Sequence, residues 1–574
     1  MNSTDALWDE KSPTKSIQVD TAISINSGDP ILQHSSSIQG VKGKWSLTII
    51  TLSLALGTFL VALDTMIIGI AVPSITSEFK SLDKIAWYGS AYLLTTTALQ
   101  PSFGKLYTQY NAKTIYLCCV VLFEVGSIVC AAAKSANVFI LGRALAGCGA
   151  AGLFQGALNI ITATVPLAKR PLYLSAVISV FGISICVGPI IGGAFTQNVS
   201  WRWCFWINLP IGFVTFVLIM IFLKIENKRT PMTLKARIMQ LDPLGALMLL
   251  ASVVCLLLAL QWGGQAHPWN SATIVGLLVG FGVLFILFGF IQWTMGEDAT
   301  VPLRVLKQRS ILSASAFLFF IAMSNYVYGY YIPIYFQSIK GSSATKSGLE
   351  FMALALPQIV FVILSGAVVT NWGYYVPYMI VGSVICAIGS GLLTTIDTTS
   401  PTIKWAAFMV VTGIGTGVCV NLPYTAVQVV LHEADVPTGN AIAQFSFQLG
   451  ASISLSIGQS LFLNKLTSEV AQSTPLSPAA VVAAGAYDLP GLAGSAESLR
   501  LLRNAYSDSV KDTLIYALAS VCIAVVCTLG MEHRNVKKAA KEREEASACS
   551  DSEEEKEKTA DGSRNYAEST QSCC

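Results

Sequence analysis

Long apolar runs separated by short polar stretches fill the chain from residue 45 to residue 531. Apolar runs of about 17 to 25 residues are long enough to cross a bilayer as α-helices. We therefore predict an all-α, polytopic membrane protein with fourteen transmembrane helices. The predicted spans are residues 45–72, 85–104, 113–133, 137–163, 173–196, 204–223, 243–263, 272–294, 311–338, 348–370, 375–395, 403–426, 436–463 and 512–531.

The composition agrees with this pattern and narrows the class of function. Of the 574 residues, 53% are hydrophobic and only 12% are charged, which excludes a set of ordinary soluble domains. The net charge of +3 comes with no basic patch outside the loops, so no nucleic-acid partner is expected. Most of the 14 cysteines fall in or beside apolar runs, where free cysteine behaves as a small hydrophobe. No metal-ligand spacing occurs, and we predict neither a metal nor a cofactor.

The ends of the chain and the loop charges set the predicted orientation. Lys42 and Lys44 directly precede the first span, which by the positive-inside tendency holds the N-terminus in the cytoplasm. Fourteen spans return the C-terminus to the same side. Residues 1–44 and 532–574 are polar or highly charged, and we predict two disordered cytoplasmic tails.

An internal repeat divides the membrane part. A glycine-rich stretch at 142–152 in span 4 has a counterpart at 412–418 in span 12, six spans apart once a pair is removed. The repeat predicts two six-helix halves, 45–223 and 309–531, with inserted helices 7 and 8 and their flanking loops at 224–308. The second half includes an outer loop at 464–511. Repeats of this kind are typical of transporters that alternate access around a midplane site.

Residues 147–152 also match the pattern GxGxxG. A dinucleotide site needs a preceding strand and an acidic residue about 20 positions further on, and this stretch has neither. Glycines inside a membrane helix let neighbouring helices approach closely, so we interpret the stretch as packing.

Asp64, Glu124 and Arg143 are the clear cases of charged residues inside the spans. Each costs about 2.5–3.5 kcal/mol at the bilayer centre on insertion scales, so each requires a reason. One reason is a structural ion pair or a position near the interface. The other is proton coupling, because a desolvated carboxylate binds protons more readily. Asp64, well inside span 1, is the first candidate for proton carriage, with Arg143 and Glu124 as further candidates.

Amide and tyrosine side chains form a second polar set within the spans. Aromatic residues at the end of a span often form an interface belt, whereas buried amides need partners that a substrate cavity would supply. A cavity with such a lining would suit a bulky, mostly apolar solute. The cavity candidates are Gln155, Asn159, Asn325, Tyr328, Gln358, Asn421, Gln444 and Gln448.

Span 5 combines small residues with a proline and carries no charge. Glycine allows close helix approach, and proline removes a backbone hydrogen bond and bends a helix. We predict a packed, bendable helix that takes part in conformational change. The motif residues are Gly182, Gly188, Pro189, Gly192 and Gly193. In the turn that follows, Asn198 begins an N-glycosylation acceptor pattern on the predicted outer side.

Five stretches of the chain match motifs of one known family. They are 63–73 with Asp64, 141–147 with Arg143, 182–193 with Gly188 and Pro189, 201–212 and 331–348. Through them, residues 45–531 resemble the major facilitator superfamily, specifically its fourteen-spanner drug:proton antiporter branch, and most of all the fungal toxin and multidrug efflux pumps.

One stretch departs from the family pattern. Thr108 stands where the loop between spans 2 and 3 usually has an acid, and Asn111 and Ala112 replace Gly-Arg. Lys113 alone cannot rebuild the usual charge latch.

The resemblance implies proton-coupled antiport of bulky amphipathic organic compounds such as toxins, secondary metabolites or drugs. The expected partners are such a small molecule, protons and the lipid bilayer, and we expect a monomer in the plasma membrane or a vacuolar membrane. Two other functions fit the same fold: a proton symporter that imports a nutrient or an iron chelate, and a non-transporting membrane sensor. An enzyme is least favoured, because no catalytic constellation occurs within the spans and we assign no catalytic residue.

Overall fold

The computed structural model describes residues 44–81, 84–225, 240–264, 267–474, 476–484, 489–546 and 548. The predicted N-terminal tail, up to residue 43, and residues 549–574 of the predicted C-terminal tail lie outside these ranges. The described residues are helical and contain no β-sheet beyond two isolated bridges.

Fourteen helices of at least 15 residues follow one another in the described part of the chain. They are α1 Lys44–Phe79, α2 Ile85–Gln109, α3 Ala112–Ala131, α4 Ala136–Thr164, α5 Arg170–Asn198, α6 Asn208–Phe222, α7 Pro243–Trp262, α8 Ala272–Met295, α9 Arg309–Ile334, α10 Ala344–Trp372, α11 Val376–Leu393, α12 Thr402–Cys419, α13 Val436–Ser473 and α14 Ala496–Thr528. A short helix, Trp203–Trp206, precedes α6, and another, Leu422–Val430, continues α12 after a break.

Twelve of the described helices are long and apolar enough to cross a membrane, which makes the protein an integral, multi-pass membrane protein. The two long helices outside this set are α2 and α13, which carry more polar residues. Both helices face protein rather than only lipid, because α2 packs against α13 and α4. That fourteen helices cross the bilayer remains a prediction.

Side-chain caps explain where several helices begin. Asn111, Asp242, Ser271, Ser343 and Ser495 each accept a hydrogen bond from a backbone N–H in the first turn of the following helix. Such a cap satisfies one of the N–H groups that a helix start leaves without an intrahelical partner.

The two halves of the repeat pack their central helices in the same way. A Cβ atom placed on Gly149 of α4 would lie 2.5 Å from the backbone nitrogen of Phe123 in α3. A Cβ atom on Gly415 of α12 would likewise clash with the backbone nitrogen of Cys386 in α11. Glycine at these positions therefore allows backbone-to-backbone contact in both pairs, α3 with α4 and α11 with α12.

The opposite faces of α4 and α12 repeat the pattern. A Cβ atom on Gly147 would lie 2.5 Å from the carbonyl oxygen of Tyr92 in α2, and one on Gly413 would clash with the carbonyl of Leu354 in α10. The stretch that matches GxGxxG thus serves helix packing, as predicted, and α2 and α10 occupy equivalent places in the two halves.

The halves meet chiefly through two helix pairs, namely α2 with α13 and α5 with α10. Glycine again allows the approach, because a Cβ atom on Gly182 would clash with Ile359, and one on Gly104 would clash with Ala441. The inserted helices α7 and α8 pack on each other, and α7 flanks α2.

The predicted outer loop at 464–511 is largely helical. Helix α13 continues to Ser473, α14 already begins at Ala496, and the short helices Pro478–Ala484 and Leu489–Ala493 lie between them. Buried apolar residues beyond the predicted spans, among them Leu466 and Leu502, hold these extensions together.

Part of the predicted disordered C-terminal tail is ordered. Residues 536–546 form a helix, whereas the sequence predicted disorder from residue 532. Val536 is fully buried, and its backbone nitrogen donates to the carbonyl of Gly373. Arg543 donates to the carbonyls of Gln428, Val429 and Leu431, where the short helix after α12 ends. These contacts fix the segment to the second half.

Candidate functional site

Asp64 and Arg143, two of the three charged residues singled out within the spans, form an ion pair inside the first half. Asp64 lies in α1 and Arg143 in α4, and their side chains are 0% and 1% exposed. The distance from Arg143 Nη1 to Asp64 Oδ2 is 2.5 Å. The sequence placed both residues in the apolar region, and the structure brings them together.

The surroundings of Arg143 stabilise its charge from several sides. Its Nε atom donates to the carbonyl oxygen of Tyr88 at 2.9 Å. The guanidinium carbon lies 4.4 Å from the centre of the Tyr92 ring and 5.9 Å from that of Phe205, which are cation–π contacts. By contrast, Asp64 Oδ1 has no hydrogen-bond partner within the described part of the chain.

The two members of the pair are therefore held differently. Arg143 also contacts the Tyr88 carbonyl and the Tyr92 ring, whereas the Asp64 carboxylate is bonded to Arg143 through one of its two oxygens.

Glu124, the third charged candidate, does not join this pair. It lies in α3 facing Gly212 of α6, and neither carboxylate oxygen has a partner among the described residues. Two buried carboxyl groups thus share one half, and only one of them is neutralised by a cation.

Two of the predicted cavity residues lie where α4 meets α13 of the other half. The side-chain nitrogen of Gln155 donates to the carbonyl of Pro437 at 2.8 Å. Asn440 donates to the amide oxygen of Asn159 at 3.3 Å. Both candidates are buried and are bonded across the contact between the halves.

Asn421, at the break after α12, also bonds across the halves. It donates to the hydroxyl of Ser175 in α5 and accepts from Ser365 in α10 at 3.2 Å. It is fully buried in this contact.

Two further candidates are buried within the second half. Gln444 accepts a hydrogen bond from the Tyr424 hydroxyl, and the Tyr328 hydroxyl is bonded to Ser390. Both residues are less than a tenth exposed.

The last three candidates remain half-buried. Asn325 lies on α9, Gln358 on α10 and Gln448 on α13. Tyr326 follows Asn325 in α9, and Phe447 precedes Gln448 in α13. The rings of Tyr326 and Phe447 pack edge to face, with centres 6.4 Å apart. Aromatic rings and amides therefore lie side by side where α9 meets α13.

The glycines of span 5 serve two different contacts. Gly182 faces Ile359 of the other half, whereas a Cβ atom on Gly188 would lie 2.9 Å from Met66 Cβ in α1. Gly192 is buried, and a Cβ atom on Gly193 would meet no described atom within 4 Å. Pro189 lies within α5, which runs as one helix. Asn198, the predicted glycosylation acceptor, is the exposed last residue of that helix.

Two ion pairs hold the loop before α13 at the predicted cytoplasmic end, and sequence reasoning missed them. The first joins the two halves, and the second joins the second half to the loop after the inserted helices. Arg170 at the start of α5 binds Glu433 at 2.8 Å and is 2% exposed. Arg304, before α9, binds both oxygens of Asp435 at 2.9 and 3.0 Å. One feature of the sequence could have indicated these ion pairs. The predicted inner loop at 431–435 is acidic, whereas inner loops usually carry Lys and Arg.

The divergent loop between α2 and α3 makes contacts to backbone groups instead of a charge latch. Lys105 donates to the carbonyl of Ala299 at 3.0 Å, next to the inserted pair. Lys113 donates to the carbonyl oxygen of Met220 at 2.7 Å. The side-chain amide of Asn111 donates to the carbonyl oxygen of Ile225.

A cluster on the predicted outer side accounts for the tryptophan-rich stretch at 201–212. Glu78 accepts from Trp201 Nε1 at 2.6 Å and from Arg202 at 2.8 Å. Burial alone would raise the pKa of the Glu78 carboxyl, but these two hydrogen bonds and the charge of Arg202 lower it below its ordinary value. The stretch therefore has a structural role in fastening the end of α1.

Known proteins resemble the chain across nearly its whole length. A family model described as Major Facilitator Superfamily matches residues 54–455. The MFS-type efflux pump MFS1 of Arthroderma benhamiae is 44% identical over 494 residues, which is 86% of this chain and 92% of the relative. The efflux pump aflT of Aspergillus parasiticus is 43% identical over 513 residues, or 89% and 99% of the two chains. The solved structure of the proton:xylose symporter XylE, at 14% identity, gives a TM-score of 0.56 over 86% of this chain and 99% of that chain, a likeness in fold alone.

Proposed function

The chain belongs to the major facilitator superfamily, and from this premise we propose that it exports bulky amphipathic organic molecules in exchange for protons. The family consists of membrane transporters for small molecules. Relatives of this chain with more than 40% identity are named efflux pumps, which supports export as the direction. Proton coupling, antiport and the plasma membrane as the site of action are parts of the proposal.

The observation that carries the proton coupling is the buried pair of Asp64 and Arg143. A proton that binds Asp64 removes the attraction on which the pair depends, and Arg143 then rests on the Tyr88 carbonyl and the Tyr92 ring. Because Arg143 lies in α4 and Asp64 in α1, protonation changes how strongly these two helices are held together. Proton binding can thereby bias the equilibrium between two arrangements of the helices.

The amide contacts between the halves support alternating access. Gln155, Asn159 and Asn421 are bonded across the halves near the predicted cytoplasmic end, which is therefore closed in this structure. When the halves separate there, the same amides face the opening. Their role as lining of the substrate path thus belongs to the opposite, inward-open arrangement.

The half-buried set on α9 and α13 supports the substrate class. Tyr326 and Phe447 offer ring surfaces, while Asn325 and Gln448 offer amide groups beside them. Binding pockets for organic ligands combine such apolar surface with a few polar groups. No fixed charge accompanies this set, so an amphipathic compound that is neutral or carries a delocalised charge is the best match.

Accumulation of a toxic or fluorescent amphipathic compound in a pump-deficient fungal host tests the proposal. Wild-type protein should lower the intracellular level, and an uncoupler that collapses the proton gradient should abolish the effect. Asp64→Asn should fail to lower it. Asp508→Asn, the same change at an exposed site on α14, should behave as wild type. Undiminished, uncoupler-sensitive efflux by Asp64→Asn would show that another residue carries the proton.

A further inference from the structure

Glu124 on α3 is half-buried, and its charge has no partner among the described residues. Both carboxylate oxygens are shielded from solvent and accept no hydrogen bond from the described residues. Its carboxyl group lies directly over Gly212 of α6, where a Cβ atom would clash with it. An isolated ionised carboxylate in such a place is costly, whereas the neutral acid is much less so.

The polar residues around Glu124 follow one seam between α3 and α6. Asn208 of α6 donates to Ser127 of α3 at 3.2 Å, one helical turn from the contact of Gly212 with Glu124. Thr215, a further turn along α6, lies with Tyr116 of α3 against Gly57 of α1. The seam thus places polar groups at successive turns.

Two of these groups are buried and have an atom without a hydrogen-bond partner among the described residues. The atoms are the Tyr116 hydroxyl and the Asn208 amide oxygen. Buried polar groups that protein atoms do not satisfy generally bind ordered water. The seam is therefore suited to relay protons through water.

The charges that face Glu124 come from two helices. Asp64 of α1 acts on it electrostatically as a like charge, and Arg143 of α4 is already bonded to Asp64. Helix α6 contributes no ionisable side chain to the contact. Two carboxyl groups and one cation in a shared apolar region favour a state in which one carboxyl is protonated. The unpaired one, Glu124, is the acid that holds the proton.

We propose that Glu124 is a second proton-binding site, which shares one proton with Asp64. While Asp64 is paired with Arg143, the proton is bound to Glu124. On transfer, the O–H bond of Glu124 breaks, seam water relays the proton, and an O–H bond forms on Asp64. Glu124 is then the carboxylate that balances the charge of the released Arg143. This inference rests on the proposed proton coupling and extends it by a proton donor.

Infrared spectroscopy of the purified full chain in lipid nanodiscs tests the proposal without any substrate. A protonated carboxylic acid has a carbonyl band distinct from those of carboxylates and amides. At pH 7 wild-type protein should show this band. Glu124→Gln should lose it, and Asp64→Asn should keep it. A band that persists in Glu124→Gln but disappears in Asp64→Asn would overturn the proposal, as would its absence from the wild type.

Two further variants serve as controls in case Glu124→Gln does not fold. Glu124→Asp keeps the acid and should keep a band at a shifted position. Gly212→Ala leaves Glu124 in place but displaces its carboxyl group, and it should also shift the band. Bands identical to the wild type in both variants would contradict the assignment to Glu124.

Transport separates this inference from the proposed function. In proteoliposomes with rhodamine 6G as the probe, Glu124→Gln should lose accumulation driven by a pH gradient. If the wild type moves the dye and Glu124→Gln moves it equally well, the second site is wrong and the proposed function stands. If the wild type moves no dye although the infrared band is present, the export proposal fails and the protonation of Glu124 is supported.

Discussion

At the scale of residues, the sequence identified which side chains need explanation but not their partners. Charged residues stand out in apolar runs, so Asp64, Glu124 and Arg143 could be selected without a structure. The pairing could not be predicted, because Asp64 and Arg143 are 79 positions apart and the close approach of their helices decides it. The lack of a partner at Glu124 is equally a property of packing.

Arg143 and Asp64 should show strong coupling in a double-mutant cycle. Arg143→Gln leaves the buried Asp64 carboxylate unpaired, and removing one partner of a buried pair costs about 3–5 kcal/mol. Asp64→Asn combined with Arg143→Gln leaves no buried charge and should recover most of that loss. Thermal unfolding in detergent measures both variants. Additive losses in the double variant would show that the two charges do not stabilise each other.

Glu78 should make the stability of the outer cluster depend on pH. Its pKa is lowered in the folded protein, from an ordinary value of 4.5, so its ionised form stabilises the fold. That contribution is present above the unfolded pKa and is lost as the pH falls through the folded pKa. Because Glu78 and Arg202 are partly exposed, its size is at most about 1 kcal/mol.

The measurement compares unfolding temperatures of wild type and Glu78→Gln at neutral pH and at pH values below 4.5. The wild type should be the more stable at neutral pH, and the difference should shrink in acid. Asp508→Asn, at an exposed site within α14, is the control and should show no such trend. A difference that grows in acid would contradict the role assigned to Glu78.

At the scale of elements, the apolar runs predicted well where the helices lie along the chain. They predicted poorly where α13 ends and where α14 begins. Length and apolar composition define the part that crosses a bilayer, so the central portions of the spans agree with the structure. The extensions of α13 to Ser473 and of α14 back to Ala496 are amphipathic, and tertiary packing on their apolar residues stabilises them. The ordered segment at 536–546 depends in the same way on contacts with distant residues.

Helix α5 provides a matched pair of glycine substitutions. Gly182→Leu should clash with Ile359 where the halves meet, and overpacking of this kind costs about 1–3 kcal/mol. Gly193→Leu puts the same residue at a position where an added Cβ atom would have no described atom within 4 Å. We expect Gly182→Leu to impair export while its membrane insertion persists, and Gly193→Leu to export normally. Gly188→Leu, which meets Met66, should also impair export.

Efflux and surface expression measured together check this prediction. Equal efflux by Gly182→Leu and Gly193→Leu at equal expression would mean that the contact of α5 with α10 does not limit transport.

At the scale of the whole molecule, the repeat in the sequence predicted two equivalent halves. The glycines of this repeat make matching helix contacts in α4 and α12, which is why the repeat is visible in the sequence. The sequence did not reveal which faces of the halves meet, because those faces mix small and polar residues with apolar ones. The acidic loop at 431–435 finds its partners, Arg170 and Arg304, only in the folded chain.

Glu433 should help to keep the predicted cytoplasmic end closed. Glu433→Gln weakens the pair with Arg170, a residue that is 2% exposed and already has one unsatisfied nitrogen. We expect faster hydrogen–deuterium exchange in residues 165–182 and 422–446, because the closed arrangement loses a contact between the halves. Glu542→Gln, which affects only a 3.9 Å pair on the tail helix, is the control. Exchange that is unchanged in Glu433→Gln would exclude this pair as a contributor to closure.

Proton-driven exchange in proteoliposomes tests the central claim, which is export coupled to protons through Asp64. Vesicles with an acidic interior are mixed with rhodamine 6G, and an ionophore clamps the membrane potential. Wild type and Asp508→Asn should accumulate the dye while protons leave, and Asp64→Asn should not. Dye that moves in the same direction as the protons, or equal accumulation by Asp64→Asn, would contradict antiport through this pair.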